Sequence, residues 1–196
     1  MPALDQELLG YLLAAAIRLS GLPGTPAEAL PPVITLPPAS LSERACRGHR
    51  TADCERIVSL FDPDDYVIYT RDTLDFEDDG DNSWLVHELV HVLQWNRDGS
   101  AIFEGCERAL GAEREAYRVQ NAYLKREGLL MRVGQVLNFT NCGDPRRAFF
   151  AREPGGGVSR SEPPEGVPRN PAPATGEGGH RLPAGTTGRS GLRRAR

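Results

Sequence analysis

The 196-residue sequence has no long apolar run, few aromatic residues and little positive charge over its first three quarters. A bilayer-spanning helix needs about 18 apolar residues, and the longest apolar stretch here covers only residues 8–17. Residues 1–150 carry 15 basic and 23 acidic side chains. Because nucleic-acid binding depends on clustered lysine and arginine, we expect neither a transmembrane segment nor a nucleic acid as the main partner.

The first residues also lack the positive charge that precedes the apolar region of a secretory signal. They contain Asp5 and Glu7, with no lysine or arginine before the apolar stretch. The apolar side chains recur with the spacing of one helix face, at Leu4, Leu8, Leu12, Ala15 and Leu19. The pattern favours an amphipathic helix of the folded domain, and we find no convincing signal peptide in this sequence.

Residues 151–196 lack the apolar side chains that a folded domain needs. They contain seven of the 16 prolines, 10 of the 21 glycines and no aromatic residue. Such a segment buries too little apolar surface to offset the conformational entropy lost on folding. We therefore expect one globular domain over residues 1–150 and a disordered tail, rich in Pro, Gly and Arg, over residues 151–196.

The four cysteines lack the Cys-x-x-Cys spacing of a zinc ribbon. Their even number is compatible with two disulfides, and proximity in the sequence favours the pairs Cys46–Cys54 and Cys106–Cys142. Four reduced, buried cysteines are the alternative. If the cysteines are paired, the compartment is oxidising, and a secreted or periplasmic location is favoured.

The residue pattern predicts an α+β fold in which helices dominate. We expect helices near residues 4–19, 83–96 and 106–127, a helix with a loop over 42–56, an edge strand over 33–36 and a strand over 66–70. Residues 75–83 form an acidic loop. Because Val86 stands where an EF-hand needs glutamate, these acidic residues are better explained by the helix dipole and by capping through Asn82 or Ser83.

The helix predicted over residues 83–96 contains the motif His87-Glu88-Leu89-Val90-His91. Residues four apart lie on the same helix face, so both imidazoles can bind one metal ion with Glu88 beside them. Two neutral nitrogen ligands and a carboxylate that takes a proton from bound water are the parts of a hydrolytic zinc site. The remaining side chains of this helix are mostly apolar, which favours a buried site over solvent-facing histidines.

A catalytic zinc ion usually has three protein ligands. A third histidine at metzincin spacing is excluded, because Gln94 and Arg97 stand where that pattern needs glycine and histidine. The next predicted helix offers a glutamate instead. Glu113 falls within its apolar stripe, and a buried carboxylate needs a cation or a metal ion. Glu115 is the alternative third ligand, although its place on the helix looks solvent-facing.

These two helices resemble those of zincin metallopeptidases of the gluzincin type, in which a downstream glutamate completes the HExxH site. The pattern around that glutamate is close to Glu-x-x-Ala/Ser-Asp, and residues 113–117, EREAY, fit the glutamate and the small residue. Tyr117 replaces the aspartate that orients a histidine ligand. The segments HELVHVLQ and EREAYRVQ are also similar to a bacterial family of uncharacterised, often exported small HExxH proteins.

The resemblance implies a minimal zincin core with a short edge sheet. Residues 66–70 would form the strand beside the active-site cleft, where an edge strand can bind an extended peptide; an ordinary core strand is the alternative. The Zn²⁺ ligands would be His87, His91 and Glu113. Glu88 would act as the general base that activates the zinc-bound water.

The implied activity is zinc-dependent hydrolysis of peptide bonds, with a peptide or protein as substrate. Tyr117 or Tyr123 would supply the hydrogen-bond donor that the oxyanion needs. A monomer is favoured. A catalytically inactive metal-binding or interaction protein of zincin fold is the alternative function.

Overall fold

The computed structural model describes residues 4–46 and 54–143 of the chain. Over these residues the fold is α+β with helices in the majority, which confirms the predicted class. The four α-helices are α1 (Gln6–Ser20), α2 (Pro38–Cys46), α3 (Asp79–Asp98) and α4 (Cys106–Arg126). The three strands are β1 (Val33–Leu36), β2 (Ser59–Asp62) and β3 (Val67–Arg71). The tail predicted over residues 151–196 lies outside the described residues.

Helix α1 confirms the amphipathic helix expected near the start of the sequence. The Asp5 side chain caps it by accepting a hydrogen bond from the Glu7 amide, and Gly21 ends it in the left-handed conformation, with φ of 76°. The buried residues of α1 are Leu9, Leu12, Leu13, Ala15 and Ala16. They belong to the main core, where α1 packs against α3 and α4.

Helix α3 is the centre of this core, and most of its side chains are buried. It packs against α1, α4 and β2. Its N-cap is Asp78, whose carboxylate accepts a hydrogen bond from the Asp81 amide. The predicted capping by Asn82 or Ser83 is therefore wrong: the helix begins one turn earlier, inside the acidic loop, and both residues are buried within it.

The strands form one sheet in the order β1-β3-β2. Strand β1 pairs parallel to β3, with Val33 opposite Ile68, and confirms the predicted edge strand. The predicted strand over residues 66–70 appears as β3 (Val67–Arg71), but it lies in the middle of the sheet. The expectation of an edge strand beside the cleft is therefore wrong, and the alternative, an ordinary core strand, is confirmed. That edge belongs to β2, which pairs antiparallel to β3. It was not predicted because only Leu60 and Phe61 are apolar in its sequence SLFD, whereas the equally short β1 has the sequence VITL.

The cysteines form the two disulfides predicted from sequence proximity. Cys46–Cys54 joins the end of α2 to the 3-10 turn at Cys54–Arg56. Cys106–Cys142 joins the first residue of α4 to the chain that follows this helix, next to the 3-10 turn Gln135–Phe139. The second disulfide therefore ties the residues after α4 back to its N-terminus.

Within the described ranges, no helix has both the length and the apolar character needed to cross a bilayer. The two disulfides are compatible with an extracellular location, since disulfides persist in oxidising compartments.

The two disulfides differ in the length of chain that they close, and we expect their contributions to stability to differ accordingly. Cys106 and Cys142 are 36 residues apart, whereas Cys46 and Cys54 are eight apart. Loop entropy predicts that changing Cys106 and Cys142 to serine lowers the unfolding free energy by about 4 kcal/mol. Changing Cys46 and Cys54 to serine should lower it by about 2.5 kcal/mol. Urea unfolding of the two double variants measures both values, and a larger loss for the shorter loop would contradict this order.

Candidate metal centre

Helices α3 and α4 pack against each other and bring two histidines and a glutamate into one cluster. The Nε2 atoms of His87 and His91 lie 3.1 Å apart. The Glu113 carboxylate lies 3.4 Å from His87 Nε2 through one oxygen and 3.3 Å from His91 Nε2 through the other. All the potential ligand atoms lie within 4.8 Å of one another, so the three side chains form a group that could hold a metal ion. We call this group the metal triad.

The position of the triad follows from the two helices. Because His87 and His91 are one turn apart on α3, their rings lie on the same face and point towards α4. Glu113 lies on the facing surface of α4, between the buried residues Ala109 and Ala116. Both histidines are 5% exposed, and the Glu113 side chain is 19% exposed. The position of Glu113 within the apolar stripe of α4 therefore places its carboxylate beside both imidazoles, as the sequence predicted.

Glu115, the alternative ligand, is not part of the triad. Its Oε2 accepts a hydrogen bond of 3.0 Å from the side-chain amide of Gln94. The oxygen of that same amide lies 2.8 Å from His91 Nδ1. Glu115 is thus half-buried behind Gln94 and reaches the histidine only through it.

The electrostatics of the triad favour a positive charge between its members. Burial lowers the pKa of the His91 imidazolium, but the neighbouring Glu113 carboxylate more than offsets this and raises the pKa to about 9. Burial raises the pKa of Glu113, yet the two imidazoles hold it well below its usual range. The metal triad, which stabilises a proton in this way, is also suited to a divalent cation. Protons and the cation compete for the same ligand atoms.

Each histidine has a glutamine amide at its other ring nitrogen. His91 Nδ1 faces Gln94, and His87 Nδ1 lies 3.1 Å from Gln120 Oε1. Neither glutamine was identified from the sequence. A signal was present, because Gln120 is a polar residue on the same buried stripe of α4 as Glu113, seven residues further along.

Glu88, the expected base, is buried and held by strand β2. Its Oε1 accepts a hydrogen bond of 2.6 Å from the Ser59 hydroxyl, and its Oε2 accepts one of 2.7 Å from the Phe61 amide. These two bonds fix the carboxylate at the side of α3 that faces the sheet edge. Ser59 and Phe61 could not be linked to Glu88 from the sequence, because β2 itself was not predicted.

Tyr117 and Tyr123, the two expected oxyanion donors, have different surroundings. The Tyr117 ring contacts the His87 ring edge-on, with centroids 4.3 Å apart, and Gly134 packs so closely on it that no side chain would fit there. Burial and the nearby Glu113 raise the pKa of Tyr117. Tyr117 therefore packs on the His87 ring, while Gln120 lies within hydrogen-bond distance of the Nδ1 atom of His87.

The Tyr123 hydroxyl donates a hydrogen bond of 3.2 Å to Asp79, in the first turn of α3. Asp79 precedes His87 by eight residues, which corresponds to about 12 Å along the helix. This hydroxyl is therefore directed away from the metal triad, and the suggestion that Tyr123 serves as the oxyanion donor is wrong.

Aromatic rings line the His91 side of the triad. Phe103 lies 6.1 Å from the His91 ring, Trp95 stacks on Phe103 at 6.3 Å, and Phe61 lies 6.5 Å from Trp95. The rings of Trp95 and Phe103 are only partly buried. They give the site an apolar wall that runs from His91 to strand β2.

Comparison with known families places this site within a recognised sequence domain. The model of a family described as "Domain of unknown function (DUF6647)" matches residues 13–147, more than two thirds of the chain, and this range includes the metal triad, Glu88 and all four cysteines. No curated protein and no solved structure matches the sequence.

The different positions of Glu113 and Glu115 predict different effects on metal binding. Glu113→Gln removes a charged ligand, and we expect the dissociation constant for a divalent transition metal to rise by more than about 100-fold, the upper end for losing a partner that only orients a ligand. Glu115→Gln keeps an oxygen that can accept the Gln94 hydrogen bond and should leave the constant near its original value. Chelator-competition titrations of both variants measure this, and equal effects would contradict the assignment of Glu113.

Proposed function

The chain belongs to the DUF6647 family, whose function is unknown, and we propose that it is a zinc-dependent hydrolase of the metallopeptidase class. The observation that carries the proposal is the meeting of His87, His91 and Glu113 within 4.8 Å, with Glu88 next to His87 on the same helix. The resemblance of these residues to the gluzincin pattern supports the same reading.

The donor set fits zinc. Two imidazole nitrogens and one carboxylate are ligands that Zn²⁺ prefers, and three protein ligands leave a fourth position open, as in catalytic zinc sites. Zinc held there would supply a Lewis acid and would make a bound water more acidic. Both histidines are almost completely buried and direct their Nε2 atoms at one carboxylate, and a cation shared by these three groups would stabilise the arrangement.

Glu88 is proposed as the general base. Each carboxylate oxygen has two lone pairs, and the bonds from Ser59 and Phe61 use one on each oxygen, so the group can still accept a proton. The same bonds fix its orientation relative to α3. Strand β2 thus holds the base in position, as general-base catalysis by a carboxylate requires.

The proposed substrate is a peptide or protein bound in extended form along β2. This strand lies at an edge of the sheet, and its Phe61 amide faces Glu88 instead of β3. Because Glu88 occupies the Phe61 amide, a peptide added to this edge would pair with other backbone groups of β2 and would lie beside the base. The partly buried rings of Trp95 and Phe103 favour a substrate with an apolar side chain near the bond that is cut. Because of the disulfides, we propose a secreted or periplasmic location.

A second function is favoured by one specific contact. Both oxygens of Glu88 are already bonded to β2, so this carboxylate could serve only to join α3 to the sheet. The protein would then be a metal-binding or interaction protein without hydrolytic activity. The two candidates agree on the metal triad and differ on what Glu88 does.

Glu88→Gln distinguishes the two candidates. If Glu88 is the base, the variant keeps its zinc and its turnover of a broad peptide library falls by about 10²–10⁴-fold, because an amide cannot take the proton. Metal analysis and library cleavage, read by mass spectrometry, are the two measurements.

Ser59→Ala is the matched control, since it removes one hydrogen bond to Glu88 but keeps the carboxylate. It should lose about 1 kcal/mol of stability and keep far more activity than Glu88→Gln, because the Phe61 amide still holds the carboxylate. A wild-type protein that binds zinc, yet is as inert as Glu88→Gln throughout the library, would reject the peptidase and favour the non-catalytic candidate.

A further inference from the structure

The amide of Gln94 has only one orientation that satisfies its neighbours. Its nitrogen donates to the Ala112 carbonyl at 3.1 Å and to Glu115 Oε2 at 3.0 Å. Both of these partners can only accept, so the nitrogen must lie on their side, and the amide oxygen must face His91. That oxygen, 2.8 Å from His91 Nδ1, is also an acceptor, and Nδ1 therefore carries the proton.

Gln120 is oriented in the same way on the other histidine. The Ser83 hydroxyl donates to the Gly80 carbonyl at 2.6 Å, and it therefore accepts the bond of 3.0 Å from Gln120 Nε2. The Gln120 oxygen then faces His87 Nδ1 at 3.1 Å, so this Nδ1 is also protonated. The side chains of Gln120 and Ser83 are fully buried, which leaves no room for solvent to offer other partners.

We infer that Gln94 and Gln120 are positioning residues, which hold His91 and His87 as Nδ1–H tautomers with both Nε2 lone pairs directed at one metal ion. A neutral imidazole has one lone pair, and a proton on Nδ1 leaves that pair on Nε2. The two Nε2 atoms are the ones that meet Glu113. The inference rests on the metal site of the proposed function and does not depend on hydrolysis.

The inference also assigns a role to Glu115. Its carboxylate keeps the nitrogen of Gln94 turned away from His91, and so fixes which atom of the amide the imidazole meets. Ser83 does the same for Gln120, but with a hydroxyl that can rotate. Ser83 and Glu115 therefore differ in one testable respect. The Ser83 hydroxyl could donate to a carboxylate at position 120, whereas Glu115 would repel a carboxylate at position 94.

The test measures zinc dissociation constants by chelator competition for Gln94→Met and Gln120→Met. Methionine has a similar length, but its sulfur is only a weak acceptor for the hydrogen bond that Nδ1–H donates. Each change should raise the dissociation constant by about 10–100-fold, as expected for partners that orient a metal ligand. Thermal unfolding of the metal-free variants checks that they remain folded.

The zinc dissociation constants of two carboxylate variants distinguish a positioning role of the glutamines from a merely structural one. Gln120→Glu should lose less zinc affinity than Gln94→Glu, because the carboxylate accepts from His87 and the Ser83 hydroxyl can turn from the Gly80 carbonyl to donate to it. Gln94→Glu should bind weakly, because its carboxylate would face Glu115 and the Ala112 carbonyl. Adding Glu115→Gln to Gln94→Glu should recover part of the affinity, since the new amide can donate while the Ala112 carbonyl still cannot.

Wild-type zinc affinity in both methionine variants would overturn the inference, as would equal affinities of Gln94→Glu with and without Glu115→Gln. If the methionine variants do not fold, the carboxylate series decides alone. A wild-type protein that binds no zinc would reject this inference and the proposed hydrolase together. The predicted order of affinities in a protein that cleaves no peptide would uphold the inference and reject only the hydrolase.

Discussion

Two imidazole nitrogens and a carboxylate meet in a buried space between α3 and α4, and the rest of the structure depends on that contact. Three electron-rich groups within 4.8 Å of one another repel unless protons or a metal ion lie between them. The fold keeps them together by packing α3 and α4 along their length and by placing α1 on both. Supporting bonds reach the site from β2, from the α4 glutamine and from the last turns of α3.

The positions of the triad could be predicted because they depend on local geometry. Residues four apart share a helix face, which places His87 and His91 together without any knowledge of the fold. Glu113 was found because a charged residue on an apolar stripe needs a partner. The disulfides were paired correctly because each joins two consecutive cysteines of the sequence. Each of these inferences uses spacing within one helix or between adjacent elements.

The remaining parts of the site depend on contacts between distant segments, which spacing does not reveal. Strand β2 has only two apolar residues in its sequence SLFD, and it becomes a strand by pairing with β3. Its bonds to Glu88 join residues more than 25 positions apart. Gln120 is uncharged, so the rule that selected Glu113 passed over it, although it occupies the same face of α4. Tyr123 lies on that face as well, but its distance along the helix takes its hydroxyl to Asp79.

The central claim is that His87, His91 and Glu113 bind one zinc ion, and anomalous scattering at the zinc edge tests it most directly. Crystals of the zinc-loaded protein should show one strong peak per chain, about 2.0–2.2 Å from both Nε2 atoms and from a Glu113 oxygen. A zinc ion bound instead by other residues, with the triad side chains in contact only with one another, would contradict the account.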